Sequence, residues 1–176
     1  MSIYWDNRYK SGTHSGNQSH AQWEHVCIDK YITDETSVLD VGCGDLAFWD
    51  GKLPRRYFGV DISPTIIQNN RKCHPDKGFN VLDIANTTFL LRYDVVLCLN
   101  VVYHLMQDDI QSVITNLLAA TKRHLFINNW FIEPEQYNRH YQRHHDLWFP
   151  RHPMEIWINY RQNFIMYHII KEPDDR

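Results

Sequence analysis

Long apolar runs are missing from this chain of 176 residues, and none approaches the ~20 residues that a membrane-spanning helix needs. The first residues also lack the basic and apolar regions of a signal peptide, so a cytoplasmic location is expected. Cys27, Cys43, Cys73 and Cys98 show no paired spacing, which argues against a disulfide framework or a cysteine zinc site and for reduced, mostly buried thiols. Positive charge is in short supply: 18 Lys and Arg against 21 Asp and Glu leave a formal charge of −3, which speaks against a generally basic nucleic-acid binder. Neither an internal repeat nor a low-complexity linker interrupts the chain, so a single domain over residues 1–176 is expected, long enough for a real core.

What is there is ordinary in bulk, with 43% hydrophobic and 22% charged residues, as in a globular protein. Eleven histidines and a 14% aromatic fraction are less usual, and both concentrate toward the two ends of the chain.

The organising stretch is Val38-Leu39-Asp40-Val41-Gly42-Cys43-Gly44-Asp45, a buried strand running into a tight glycine turn. It begins a series. Asp40, Asp61 and Asp83 each fall near the C-terminal end of a short apolar run (37–41, 57–62, 79–84), spaced 21 and then 22 residues apart. That spacing suits successive strand–helix units of a parallel sheet, whose ligands bind beyond the carboxyl ends of the strands. Gly42-x-Gly44-x-x-Ala47 also fits the dinucleotide pattern, with Asp61 near the place of a ribose-binding acid. Asp40 weighs against that reading, because a carboxylate two residues before the first glycine would repel a pyrophosphate. A ligand with positive charge and no phosphate reverses the argument. S-adenosylmethionine carries an ammonium and a sulfonium that Asp40 would favour, a ribose diol for Asp61 and an adenine amine for Asp83.

Residues 38–45 resemble the first motif of the class I S-adenosylmethionine-dependent methyltransferases, 57–64 the second, 81–86 the third and 93–105 the fourth; the resemblance covers about residues 20 to 132, in the right order. It implies a three-layer α/β/α sandwich around a mainly parallel, doubly wound sheet of six or seven strands. The cofactor would be S-adenosylmethionine, held by Asp40, Gly42, Cys43, Gly44, Asp61, Ile62, Asp83, Ile84 and Asn100. Where the family's turn often has a third glycine this chain has Leu46, a departure expected to alter loop packing more than cofactor choice.

Along the chain, Ser19-His20-Ala21-Gln22 has the form of a capping box, followed by Trp23, Val26, Cys27, Tyr31 and Ile32 on one helical face. Ser63-Pro64 supplies an N-cap and a proline at the first position of a helix that runs to about Lys72. Residues 86–91 read as a connection of one helical turn, 94–100 as a strand covered on both faces, and Ile110, Val113, Ile114, Leu117 and Leu118 as an amphipathic helix. Beyond a fifth strand at 124–128, helices are expected at 133–145 and 154–163 and a last strand at 165–170.

The acceptor side is read from the ends of the chain. Residues 1–18, with Trp5, Arg8 and Tyr9 beside a glycine-rich polar stretch, suggest an N-terminal lid with an anchoring face. His104 lies just past the cofactor rim, and an imidazole titrates where it can take a proton from a hydroxyl; Tyr103 is a second candidate base. Asn100–Tyr103 occupies the place where amino-methylating nucleic-acid enzymes carry an acid or amide, two prolines and an aromatic. Valines replace both prolines here, which favours oxygen as the accepting atom. In the acceptor-side insertion 129–153, Arg139 and Arg143 share a helix face, as do His140 and His144. These residues are open to three readings: an anion pocket using Arg139, Arg143 and His144, a metal site, or a solvated polar face. No metal partner stands at recognisable spacing, and no metal is expected. The chain is thus expected to methylate a small, plausibly anionic acceptor, most readily at oxygen, with no membrane association and with a homodimer open. Rival readings are a nucleic-acid methyltransferase, which the negative charge and missing prolines disfavour, and a non-catalytic cofactor-binding partner subunit.

Overall fold

A computed structural model describes residues 2–13, 21–130, 147, 149 and 152–172. Seven strands form one sheet: β1 (Ser37–Val41), β2 (Arg56–Asp61), β3 (Gly78–Val81), β4 (Tyr93–Cys98), β5 (Thr121–Trp130), β6 (Met154–Asn159) and β7 (Phe164–Ile170). Their order is β3-β2-β1-β4-β5-β7-β6, parallel from β3 through β5 and antiparallel where β7 joins β5 and β6. Four helices accompany them: α1 (Ser2–Lys10), α2 (Ala21–Ile28), α3 (Pro64–Cys73) and α4 (Ile110–Ala120).

The central strands are continuously apolar because both faces of the sheet are covered. Alternate residues serve opposite layers. Val38, Val95, Leu97 and Phe126 pack with Cys27 and Ile28 of α2 and Ile66 and Ile67 of α3. Leu39, Val41, Val96, Cys98, Leu125 and Ile127 pack with Ile110, Val113, Ile114 and Leu117 of α4. Each such side chain, fully buried, stabilises the fold by about 1.5–3 kcal/mol. The result is the expected three-layer sandwich, with the strand order reversing between β1 and β4, the place where sheets of this kind bind ligands in a crevice beyond the carboxyl ends. Helix α3 starts as its sequence predicts: the Ile66 N–H donates to Ser63 Oγ, and Pro64 occupies the first turn.

The structure differs from the sequence reading at several places. The helix expected at 154–163 is instead strand β6 and the turn into β7, so the sheet has its seventh strand. Met154, Ile156 and Ile158 recur with a period of two, and the odd position Trp157 turns to the opposite face, where its ring stacks on Phe126 and His168. Asn163 closes the hairpin in the left-handed region, a conformation asparagine tolerates. Residues 86–91 carry no helical turn, and β3 ends at Val81, leaving Asp83 in the turn that follows. In α2 the inward face is Glu24, Cys27 and Ile28, whereas Val26 is 76% exposed. The helix expected at 133–145, with Arg139, His140, Arg143 and His144, lies outside the described residues. Among the described residues no helix is long and apolar enough to cross a membrane.

Candidate active site

The turn after β1 is shaped by close approach. Gly42 has φ +75°, and a Cβ there would lie 2.2 Å from Val101 Cγ2, so only glycine lets the turn sit against the segment after β4. The Gly42 and Cys43 amides both donate to the Val60 carbonyl, tying the turn to β2. Leu46 also takes a left-handed φ of 62° where the family often has a third glycine; its side chain is buried beneath the turn, offsetting a backbone cost of about 1–2 kcal/mol. Cys43 is buried, and Asn70 of α3 donates to the Gly44 carbonyl.

Asp40 and Asp61 lie on adjoining strands, β1 and β2, and Asp83 follows the next strand, β3, at the same end of the sheet. Asp61, buried at the end of β2, accepts from the Gly44 N–H at 3.0 Å and the Ser63 N–H at 2.9 Å, so one carboxylate holds both turns together. Burial raises its pKa against those amide bonds. Asp40 is buried too, and its Oδ2 accepts from Trp49 Nε1 and Tyr57 Oη, each at 2.8 Å. Desolvation wins over those two donors and pushes its pKa up to about 6. Asp83 is half-buried and caps its own turn, accepting from the Ala85 N–H and the Asn86 amide. Ile62 beside Asp61 is half-buried; Ile84 is buried, and its carbonyl accepts from Asn116 of α4.

Across the crevice, Asn100 follows β4 in the left-handed region, at φ 60°. Its side chain donates to Glu24 Oε1 at 3.2 Å and accepts from Asn128 of β5 at 3.1 Å; Asn128 also donates to Glu24 Oε1 and accepts from the Asn100 backbone N–H. Glu24 is 1% exposed, and burial raises its pKa to about 7 despite the two amide donors. Glu24 and Asn128 did not figure among the residues read from sequence. Asn128 could have been found as the polar end of the strand next to β4. Glu24 is marked only by the helical phase it shares with Cys27 and Ile28.

Tyr103 and His104 sit in a short 3-10 turn beyond Asn100. Tyr103 is buried against Trp130 and Phe164, and its hydroxyl donates to Asn100 Oδ1 at 3.2 Å. His104 is half-buried, with the Trp5 ring edge-on at 4.9 Å. Trp5 belongs to α1, which carries Arg8 over the Trp5 ring and Tyr9 beside it. Asp6 of α1, another residue not read from sequence, accepts from Ser63 Oγ at 2.9 Å and the Thr65 N–H at 3.0 Å, capping α3, and pairs with Lys10.

The donor set suits a cationic nucleoside. Buried Asp40 and Glu24 have no lysine or arginine partner among the described residues, and Asp61 meets only amides. S-adenosylmethionine, with positive charge at its methionine end and no phosphate, fits that chemistry.

Comparison with known proteins agrees. Residues 39–124 match the family model described as a methyltransferase domain. No curated protein matches the sequence. Among solved structures, a TehB-like S-adenosylmethionine-dependent methyltransferase from Corynebacterium glutamicum superposes with a TM-score of 0.65 at 16% identity, covering 97% of this chain and 95% of its own. Magnesium protoporphyrin IX methyltransferase from Synechocystis, with bound S-adenosylhomocysteine, gives 0.63 at 15% identity, covering 97% and 98%. The N-methyltransferase NodS from Bradyrhizobium japonicum gives 0.61 at 12% identity, covering 87% and 96%. At such identities the superpositions speak for the fold, and the sequence match speaks for the activity. The match over residues 39–124 thus identifies a methyltransferase domain whose cofactor is S-adenosylmethionine, carried on the fold seen in the solved S-adenosylmethionine-dependent methyltransferases.

Proposed function

We propose that this methyltransferase acts on a small, anionic acceptor and methylates it at a hydroxyl oxygen, with His104 as the general base. The observation that carries the reading is the contact of His104 with Trp5, which sets a basic side chain at the junction of the crevice and α1. S-adenosylmethionine supplies an electrophilic methyl group when bound. The protein's share is then to position the acceptor in line and to take its proton, since a hydroxyl is a weak nucleophile. In this reading Asp40, Gly42, Cys43, Gly44, Asp61, Ile62, Asp83, Ile84 and Asn100 hold the cofactor. Tyr103 orients Asn100 through its hydroxyl rather than serving as the base.

The acceptor enters beneath the N-terminal lid, where Trp5 and Tyr9 offer an apolar wall and Arg8 a positive charge. Arg139, Arg143 and His144 would complete an anion pocket. Support for a small acceptor comes from the fold-level neighbours, which include a methyltransferase of magnesium protoporphyrin IX. Incubating metabolite pools with enzyme and isotopically labelled methyl donor, then reading labelled products by mass spectrometry, tests the acceptor class. A labelled anionic metabolite, methylated at oxygen, is the expected product; label only in nucleic acid overturns the proposal. His104→Ala should lower kcat by about 10²–10⁴-fold while leaving the Kd for the cofactor unchanged, and an unchanged kcat removes His104 as base.

A further inference from the structure

Glu24 is a buried acid without a counter-ion. Its Oε1 receives amide hydrogens from Asn100 of the β4 end and Asn128 of β5, while Oε2 accepts no hydrogen bond among the described residues. His25, next to it on α2, is turned elsewhere: its ring bonds Asp29 and the Phe48 carbonyl. The ionisable groups acting on Glu24 are His25 from its own helix and Asp40 from β1; Glu24 in turn raises the Cys27 thiol, and the Tyr103 hydroxyl bonds Asn100. No lysine or arginine is paired with it or with Asp40 among the described residues, so the two buried carboxyls that flank the strand-order reversal have neutral hydrogen-bond donors, with His25 acting on Glu24 through space. Neutral amides can orient a carboxylate but cannot cancel its charge, and an unpaired buried charge is costly. A cation entering the crevice would relieve both.

We propose that Glu24 is a cofactor-binding residue, whose carboxylate, aimed by Asn100 and Asn128, is the counter-charge for the cationic methionine end of S-adenosylmethionine. The proposal rests on that end lying beside Asn100. Ionised, Glu24 favours the cofactor; protonated, it does not, so cofactor binding expels a proton. The free carboxyl titrates at about 7, with desolvation as the main cause, so this exchange falls in the neutral range. Two positive centres could be the one recognised, the α-ammonium, which S-adenosylhomocysteine retains, or the sulfonium, which it lacks.

Titration calorimetry of the wild type and Glu24→Gln with S-adenosylmethionine, S-adenosylhomocysteine and methylthioadenosine separates these. Methylthioadenosine keeps the nucleoside but carries neither positive centre. At pH 7, Glu24→Gln should weaken S-adenosylmethionine about tenfold or more and leave methylthioadenosine unchanged. Equal weakening of S-adenosylhomocysteine identifies the ammonium, and weakening of S-adenosylmethionine alone identifies the sulfonium. From pH 6 to pH 7 the wild type should gain about fivefold more affinity than Glu24→Gln. Equal losses for all three ligands would mean a structural role and overturn the proposal. A readout independent of the variant is proton release: in buffers of differing ionisation enthalpy, the wild type should release about half a proton per cofactor bound at pH 7. No release overturns the proposal. Wild-type protein that binds methylthioadenosine but not S-adenosylmethionine overturns it as well, while failure to bind any of the three removes the cofactor site on which it rests.

Discussion

On the β3-β2-β1 side of the crevice each acid is satisfied by residues near it in the chain. Asp61 bonds Ser63 two positions away and Gly44 seventeen away, and Asp40 bonds Trp49 and Tyr57 at nine and seventeen. On the β4-β5 side the ties are long: Glu24 to Asn100 spans 76 positions and Glu24 to Asn128 spans 104. The first half of the rim is therefore built by local turns and is part of what holds β1 and β2 together. The second exists only once the sheet has assembled, and its carboxylate is buried at a cost. The two halves should fail differently, the first by losing fold and cofactor together, the second by losing charge with the fold intact.

The largest effect should come from the local half. Gly42→Ala would press a methyl group to 2.2 Å from Val101 Cγ2 at a backbone φ of +75°. Left-handed strain and overpacking add to about 3 kcal/mol or more of lost stability. The denaturation midpoint should fall, and cofactor binding should fall with it, because in the proposed site the same turn does both jobs. A variant that keeps full stability but binds no cofactor would break the comparison, since it would separate the turn's two roles.

The long-range half should respond in the opposite direction. Burial raises the Glu24 pKa from the ordinary glutamate value of 4.5 to about 7, so the folded state holds its proton more tightly than the unfolded chain does. The stability this group contributes is complete below about pH 4.5 and is lost as pH rises through 7. Glu24→Gln abolishes that loss. At pH 8 it should make the protein more stable than wild type by up to about 3 kcal/mol, and at pH 5 by less than about 1 kcal/mol. Chemical denaturation at the two pH values checks it. A variant less stable than wild type at pH 8 would mean that Glu24 is a structural acid like Asp61, and the two halves would no longer differ.

The same division explains what could be read before the structure was in view. Asp40, Asp61 and Asp83 announce themselves because strand, turn and acid are contiguous, and the spacing of one unit predicts the next. The Ser63-Pro64 helix start is likewise a local signal. The last strand, β7, is legible at 165–170, but β6 reads as a helix because Met154–Asn159 is an edge strand, partly exposed, with too few buried positions for its period of two to stand out. Glu24 gives no such signal, because a charged residue in an amphipathic helix reads as solvent-facing. Only the amides of Asn100 and Asn128, brought from two other elements, make its burial tolerable. Asp6 has the same character: nothing in residues 2–10 says that its carboxylate will cap a helix beginning at residue 64.

Asp6 yields the smallest effect and the sharpest test of how α1 relates to the two halves. Helix α1 has no buried residue, so packing alone holds it weakly. One polar tie is the Asp6 carboxylate, which accepts from Ser63 Oγ and the Thr65 N–H and pairs with Lys10; the Lys10 contact first, and then Thr65, hold its pKa well below the usual carboxylate range. That tie ends on the Ser63-Pro64 turn that Asp61 organises, while Trp5, one residue before it, touches His104 on the other side. Helix α1 thus bridges both halves of the rim through two adjacent side chains. Asp6→Ala should leave the unfolding midpoint nearly unchanged, raise hydrogen exchange in residues 2–10, and speed cofactor dissociation about three- to tenfold, the loss of one or two part-buried hydrogen bonds. Trp5→Ala should instead raise the KM for the acceptor and spare cofactor dissociation. If the two variants behaved alike, α1 would act as one rigid cover, and the separation between a cofactor half and an acceptor half would stop at the rim.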